Sequence, residues 1–416
     1  MESLLLAISG MSPAVITETL YGIDRRDEPW PKGIRIITTS KGRERLWQGL
    51  VEQAYLTALC TELGRPTLAL AREHILVVTD AAGNPVADAR SVADHEALAD
   101  FIMTVVRDLT RDDTRRIHAS IAGGRKTMTF YLGYAMSLFG RHFDCMSHVL
   151  VSEDFENRPD FYFPTREPQS IRLVDGRELH THEAEVTLAD IPFIRQRDLL
   201  PKMLKDVGDN VNFRQLVDLI NLGDQPENVR VTVHATLQRL VLKSVATHEL
   251  AVTVELPNLW HWIFYLLIIE DSRKDIEERG GYIRPSTKQP DASLALEMAL
   301  RLAALSGVEI DGENFTELTD ALLDIAWLND RHPMLERSLR AVSDKQGVTD
   351  SHVSTYINAI QHALSLVLPD NLVQCLVPTQ VYDIHGRRLD NVGRIKNKGG
   401  AYGVPLPDPV GQIKIL

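Results

Sequence analysis

The sequence predicts a doubly wound α/β domain over residues 1–205, followed by a mostly helical domain over 206–416. Three observations carry this prediction. Strand-like and helix-like runs alternate through the first half, as they do where parallel strands are joined by crossover helices. Two of the strand-like runs lead directly into corners that open helices, Gly10-Met11-Ser12-Pro13 and Gly123-Gly124-Arg125-Lys126-Thr127. In the second half, apolar residues recur mainly at helical spacing.

Taken in order, the apolar run Leu4-Leu5-Leu6-Ala7-Ile8 predicts a first strand near Leu4–Ser9, and a helix follows to about Ile23. Ser12 is placed to cap that helix, and Pro13 suits its first position. A second strand is expected at Ile34–Thr39, then one helix across Arg43–Leu63. Ile75–Val78 reads as a third strand and Val92–Leu109 as a helix. Ile117–Ile121 reads as the fourth strand, Lys126–Phe139 as a helix and Ser147–Val151 as the fifth strand. A doubly wound chain of this kind usually takes the parallel order 3-2-1-4-5, in which the first and fourth strands meet at the switch point where ligands bind. That order brings Ser12 and Lys126 to one sheet edge.

Both corners would present free backbone N–H groups at the positive end of a helix dipole, joined by a hydroxyl at one and by Arg125 and Lys126 at the other. A lysine at a helix start is disfavoured unless an anion sits there, so Lys126 is a candidate anion-binding residue. Thr38-Thr39-Ser40, Lys41 and Gly42 add donors along the same rim, where a helix cap is the simpler explanation. Known phosphate motifs fit poorly. A Walker loop would need a glycine directly before the lysine, where Arg125 stands. A dinucleotide fingerprint needs more glycines than Ser9-Gly10-Met11-Ser12-Pro13-Ala14 supplies, and Ala14 replaces the second glycine of a serine-hydrolase elbow.

The runs Ala7-Ile8-Ser9-Gly10-Met11-Ser12-Pro13, Thr17-Glu18-Thr19-Leu20-Tyr21, Ile36-Ile37-Thr38-Thr39-Ser40 and Ala122-Gly123-Gly124-Arg125-Lys126-Thr127-Met128 resemble the CRISPR-associated ring nucleases. The resemblance covers about the first half of the chain. It implies a CRISPR-associated Rossmann-fold (CARF) domain and a homodimer that cuts cyclic tetra-adenylate without a metal or other cofactor. It places catalysis on Ser12 and Lys126. Gly10, Met11, Thr39, Ser40, Gly123, Gly124, Arg125 and Thr127 are then ligand-binding residues. A rival reading is a cyclic-oligoadenylate-responsive, DNA-binding transcription regulator, or an effector, that binds the ring nucleotide at Ser12 and Lys126 without cutting it. The Arg-x(4–6)-His pair of effector ribonucleases has one match, Arg111 and His118, but it precedes Gly123 within the first domain and reads as coincidence.

Composition points to an ordinary globular protein, with 416 residues, 44% of them hydrophobic, and a net charge of −12 that counts against long nucleic acids as the main ligand. Cys60, Cys145 and Cys375 are odd in number and far apart, which suggests neither disulfides nor a cysteine metal site. The acidic Glu2 before the first strand is unlike a signal peptide, and Leu259–Ile269 is too short to span a bilayer, so a cytoplasmic protein with no membrane partner is expected.

Beyond Val151, Phe161-Tyr162-Phe163 and Ile171–Val174 suggest strands, with Asp175-Gly176 turning into Glu178–His180. His180, His182 and Glu183 have no distant partner, so no metal is expected there. Ile191–Lys205 reads as helix or linker, with the domain boundary near Leu200–Asp209. In the second half, Phe213–Leu222 opens the domain and strands are expected at Val229–Val233 and Ala251–Leu256. Helices are expected at Trp260–Ile269, Ser293–Leu305, Phe315–Leu328, Pro333–Ser343 and Ser351–Leu368, then a hairpin before Val404-Pro405-Leu406. This arrangement resembles a winged helix with helical additions. Its hairpin carries Arg387, Arg388, Arg394, Lys396 and Lys398, but His352, Ser354, Thr355, Asn358, Gln361 and His362 on the exposed side of the last helix include no Arg or Lys. DNA is therefore possible as a partner but not favoured.

Overall fold

Strand β1 (Glu2–Ile8) is the centre of the first sheet, and Leu5, Leu6 and Ile8 within it are wholly buried. A computed structural model describes residues 1–156, 158–173, 176–197, 212–245, 251–274, 289–310, 312, 314–382 and 401–416. The chain divides into two units, Met1–Leu200 with Gly208–Arg214 and Pro201–Val207 with Gln215–Leu416.

In the first unit the order is β1, α1 (Ala14–Arg25), β2 (Gly33–Thr38), α2 (Ser40–Trp47), α3 (Tyr55–Leu63), β3 (Ile75–Val77) and α4 (Val92–Leu109). It continues with β4 (Arg115–Ser120), α5 (Lys126–Phe139), β5 (Cys145–Val151), β6 (Ser170–Arg172), β7 (Glu178–His180) and β8 (Val186–Asp190). The six-stranded sheet runs β3-β2-β1-β4-β5-β8, parallel through β5 and closed by the antiparallel β8. In register, Leu5 lies between Ile34 of β2 and His118 of β4. Leu5, Ala7, Ile34 and Ile36 share one core with Ile16, Leu20, Leu56 and Leu59 of α1 and α3, while α4 packs with α5. Helices on both faces account for the near-continuous apolar reading of β1.

Several expectations change. The helix expected across Arg43–Leu63 is broken: α2 ends at Trp47, a π turn covers Gln48–Glu52, and Ala54 at φ 58° precedes α3. Gly49 explains the irregular path, because a Cβ there would stand 2.5 Å from the Tyr162 hydroxyl and 2.9 Å from Pro13 Cγ. Phe161-Tyr162-Phe163 forms no strand; all three are buried in irregular chain, with Tyr162 stacked on Tyr55 at 3.6 Å. The hairpin of β6 and β7 forms, while Val174 and Asp175 lie outside the described residues. Strand β8 was not anticipated, and its side-chain anchor is long-range: Asp190 accepts two 2.8 Å hydrogen bonds from Arg26. Residues 191–197 are irregular, and the rest of the expected boundary segment, through Asp209, is outside the described residues.

Arg111 and His118 do not form a pair. Arg111 lies 3.1 Å from Asp108, while His118 lies 3.4 Å from Glu28 and 2.7 Å from the Ser147 hydroxyl. Burial opposes charge on His118, but the Cys145 sulfur and the Glu28 carboxylate outweigh it and push the imidazole pKa up from 6.5 to about 9. The Glu28 carboxyl is held below its usual range chiefly by its hydrogen bond with His118.

The second unit has a four-stranded sheet in the order β11 (Ala251–Glu255), β10 (Arg239–Ser244), β9 (Val229–His234), β14 (Ile413–Ile415), with β14 parallel to β9. The helix Leu259–Ser272 is buried nearly all round, as a core helix should be. Three of its polar aromatic groups are satisfied: Trp260 Nε1 donates to the Tyr356 hydroxyl at 3.0 Å, Trp262 Nε1 to Ala235 O at 2.8 Å, and the Tyr265 hydroxyl to Leu376 O at 2.8 Å. The helix expected over Phe315–Leu328 is split into Phe315–Leu323 and Ala326–Arg331, and the Asn329 side-chain Nδ2 lies at 3.0–3.2 Å from the carbonyl oxygens of Leu322, Leu323 and Ile325 around the break. The helix Asp350–Val367 buries Val353, Tyr356, Ile360 and Leu364 and exposes Ser354, Thr355, Asn358, Gln361 and His362. His352 is half-buried, and its Nδ1 accepts the Thr349 N–H at 3.3 Å. Strands β12 (Thr379–Tyr382) and β13 (Ala401–Gly403) pair antiparallel, while the intervening basic residues from Arg387 to Lys398 lie outside the described residues. Among the described residues no helix is long and apolar enough to cross a membrane.

Two measurements check this packing. The folded pKa of His118 is raised, so the stabilisation from its charged form is complete below pH 6.5 and is lost as pH rises through about 9. Thermal melting of the wild type should therefore decline from pH 6.5 to 9 more steeply than that of His118→Gln. In the second unit, Tyr356→Phe leaves the Trp260 N–H unpaired and should cost about 1–3 kcal/mol in urea denaturation.

Candidate functional site

Three loops leave the carboxyl edge of the sheet side by side: β1 to α1, β2 to α2, and β4 to α5. Their backbones meet because glycines stand at the contact points. A Cβ on Gly10 would stand 3.3 Å from Gly124 Cα, and one on Gly123 would stand 2.6 Å from Ile8 O and 2.9 Å from Val15 Cγ2. A Cβ on Gly42 would stand 2.6 Å from Gly10 O. Gly124 also has φ 85°, a left-handed conformation that glycine adopts without strain. The two corners thus adjoin in space although they lie far apart in the chain.

The local structure of each corner leaves groups free. Pro13 occupies the N-cap position of α1, not its first turn, and no side chain caps the helix. Ser12 was expected to do so. Its carbonyl instead accepts the Ser9 hydroxyl at 2.8 Å, and its own hydroxyl is half-buried and has no protein partner among the described residues. At the other corner Arg125 is the N-cap of α5 and, having no acceptor atom, supplies no side-chain cap; its guanidinium is held by Asp88. The Asp88 carboxyl lies below its usual range through hydrogen bonds from Arg125 first and Arg90 second. Lys126, the first residue of α5, is exposed and has no ion-pair partner among the described residues.

Two cavities open at this edge. One of about 450 Å³ is lined by Ser12, Pro13, Ala14, Arg45, Gln48, Gly49, Gln53, Arg158, Pro159 and Tyr162. The other, about 270 Å³, is lined by Gly10, Thr39, Lys41, Ala87, Asp88, Gly124, Arg125 and Met128. Met11 lines both and is 56% exposed. Within one chain Ser12 and Lys126 therefore flank the same edge without lining the same cavity; Lys126, Ser40, Gly123 and Thr127 line neither. Thr39 has a local task, its hydroxyl accepting the Gly42 N–H at 3.4 Å as the cap of α2, and the Ser40 N–H donates to Val86 O at 3.0 Å. Gly123 is a packing position, and the Thr127 hydroxyl is buried without a partner among the described residues.

Sequence reasoning missed Arg45, Gln48, Gln53, Arg158 and Asp88. The one sequence clue to the first three was Gly49, an isolated glycine inside a helical pattern, which often marks close packing. Asp88 is brought in by the loop after β3, where the Val86 N–H donates to Val78 O at 2.8 Å. On α1, Glu18 is buried and its carboxyl is pushed up to about 7, by burial first and by Glu156 second, but it lines neither cavity. His180 and His182 stack at 5.8 Å, and Glu183 accepts the His180 N–H, so those three residues cap a turn.

The arrangement offers backbone N–H groups at the starts of α1 and α5, a free hydroxyl, a free ammonium and several guanidinium groups, which together suit a phosphodiester. Residues 12–221 match the family described as CRISPR-associated protein NE0113. No curated protein matches the sequence. Among solved structures, Enterococcus italicus Csm6 bound to cyclic hexa-2'-fluoro-hexa-dAMP is similar at 12% identity over 88% of this chain and 93% of that chain, with a TM-score of 0.27, too low to carry an argument. The family match spans just over half of the sequence and contains both corners from Ser12 onward, and the chain belongs to the CRISPR-associated protein NE0113 family.

Proposed function

We propose that the protein binds cyclic oligoadenylate at this edge and is a ring nuclease, cleaving cyclic tetra-adenylate to linear di-adenylates and so ending a CRISPR-linked antiviral signal. The observation that carries the reading is the close approach of Gly10 to Gly124, which sets the Ser12 hydroxyl and the Lys126 ammonium along one edge with helix N-termini behind them. Membership of a CRISPR-associated family supports the setting.

The chemistry asks little of the protein. A ribose 2′-hydroxyl gives up its proton to water and attacks the adjacent phosphorus, the bond from phosphorus to O5′ breaks, and the products carry a 2′,3′-cyclic phosphate and a 5′-hydroxyl whose proton comes back from water. The protein need only hold the three atoms in line and stabilise charge on the phosphoryl oxygens. Lys126 acts as a point charge there, and Ser12 orients the ribose or the phosphate by hydrogen bonding. Arg125 is already neutralised by Asp88, so its contribution is to hold the loop. Two chains related by a two-fold axis would present two copies of Ser12 and Lys126 to opposite phosphates of a four-fold ring, which makes halves the natural product. In that assembly Lys126 of one chain and Ser12 of its partner need not line one cavity of a single chain.

Two outcomes check the reading. Incubated in chelator with cyclic tri-, tetra- and hexa-adenylate, the wild type should convert the tetramer to di-adenylate, and Ser12→Ala and Lys126→Ala should each slow this about 100-fold or more. Chromatography that finds the tetramer intact after excess wild type would refute cleavage, and retained binding would then leave a sensor. Titration calorimetry should give one ring bound per two chains; one ring per chain would remove the two-fold geometry.

A further inference from the structure

The larger cavity beside Ser12 has a chemistry that phosphate binding does not use up. Its Gln48 and Gln53 stand at the two ends of a π turn, with the Gln53 N–H donating to Gln48 O at 2.9 Å. In an α-helix residues five apart point about 140° away from each other. The wider turn, closed from residue i to i+5, returns the second side chain toward the first, and both line the same cavity. Neither amide has a protein hydrogen-bond partner among the described residues. Pro13 and Pro159 add flat apolar surfaces, and Met11 adds a polarizable thioether that packs well against aromatic rings. Arg45 makes no ion pair among the described residues, and Arg158 lies 3.2 Å from Asp160 outside the lining. No carboxylate is among the described residues lining the cavity. At about 450 Å³ it lies in the range of ligand pockets, about 300–1,000 Å³.

We infer that this cavity is a base subsite selecting adenine, in which the Gln48 and Gln53 amides read the N6/N7 edge and Arg45 holds an adjoining phosphate. A glutamine amide presents one donor and one acceptor in one plane, the complement of the adenine edge, whereas hypoxanthine offers two acceptors there. The side chains are exposed, so the subsite is preformed by backbone and not by a tightly packed shell. The irregular helix is explained as well: Gly49 lets the π turn lie against Pro13 and Tyr162, and Tyr55 stacked on Tyr162 holds the opposite wall. This inference rests on the reading that the chain binds a ring nucleotide and adds which residues choose its base.

Binding to the full-length protein is measured at times short relative to cleavage, with cyclic tetra-adenylate, its 7-deaza-adenine analogue, and the corresponding inosine and guanosine rings. The wild type should prefer adenine about tenfold or more over the three others. Gln48→Ala and Gln53→Ala should erase that preference while binding the inosine ring as the wild type does. Arg45→Ala should weaken all four rings equally. Melting temperatures of the three variants should match the wild type, since the replaced side chains are exposed. Undiminished adenine preference in both glutamine variants, or equal binding of the guanosine ring by the wild type, overturns the base subsite alone. Failure of the wild type to bind any ring overturns the functional reading and the subsite with it.

Discussion

The closeness of two backbones governs the site. Gly10 and Gly124 pass each other with no room for a side chain between them, and Gly42 and Gly123 close the same junction against Gly10 O and Ile8 O. A Cβ at Gly42 or Gly123 would run into backbone, one at Gly124 would run into Ile8 Cγ2, and one at Gly10 would crowd Gly124 Cα at 3.3 Å. With the contact in place, the N-termini of α1 and α5 converge on one edge, and their unpaired N–H groups share one small region. The free hydroxyl of Ser12 and the exposed ammonium of Lys126 take their meaning from that convergence. Separately, each would be an ordinary surface group.

Charge is distributed to match. The chain carries a net −12, yet the side chains lining the two cavities include Arg45, Arg158, Lys41 and Arg125, with Asp88 as the carboxylate among the described lining residues. A small anion responds to this local field more than to the total. Asp88 and Arg125 form a fixed pair that stiffens the loop after β3 against the start of α5. Among the described residues, the cationic groups left for a ligand are therefore Lys126 on α5 and Lys41 and Arg45 on α2, two helices brought to one edge by the order of the strands.

Several departures from regular structure lie beside the site. The π turn, the left-handed Ala54, the uncapped start of α1 and the irregular Phe161–Phe163 segment all surround the larger cavity. Away from the cavity, the cluster of Glu28, His118, Ser147 and Cys145 acts as a polar anchor between the end of α1 and strands β4 and β5. His118 sits opposite Cys145 in register, so its place in that cluster follows from strand pairing. This anchoring role, not catalysis, accounts for the histidine that a ribonuclease pattern would have claimed.

Apolar periodicity was enough to place the alternating strands and helices of the first unit, because a buried parallel strand and an amphipathic crossover helix each leave a local pattern that does not depend on the rest of the chain. The two corners, with their glycines and the lysine at a helix start, were legible for the same reason: backbone clearance and helix-dipole chemistry act over a few residues. Strand β8, the break after Trp47, the partner of Arg125 and the lining by Arg45, Gln48, Gln53 and Arg158 were not. Each depends on residues distant in sequence: Arg26 for β8, Tyr162 and Pro13 for the π turn, and Asp88 for Arg125. Local preference could name the groups that suit an anion, but only tertiary packing decided which of them stay free and which cavity they face, because a hydrogen bond or a contact is settled by what lies across space and not by what comes next along the chain.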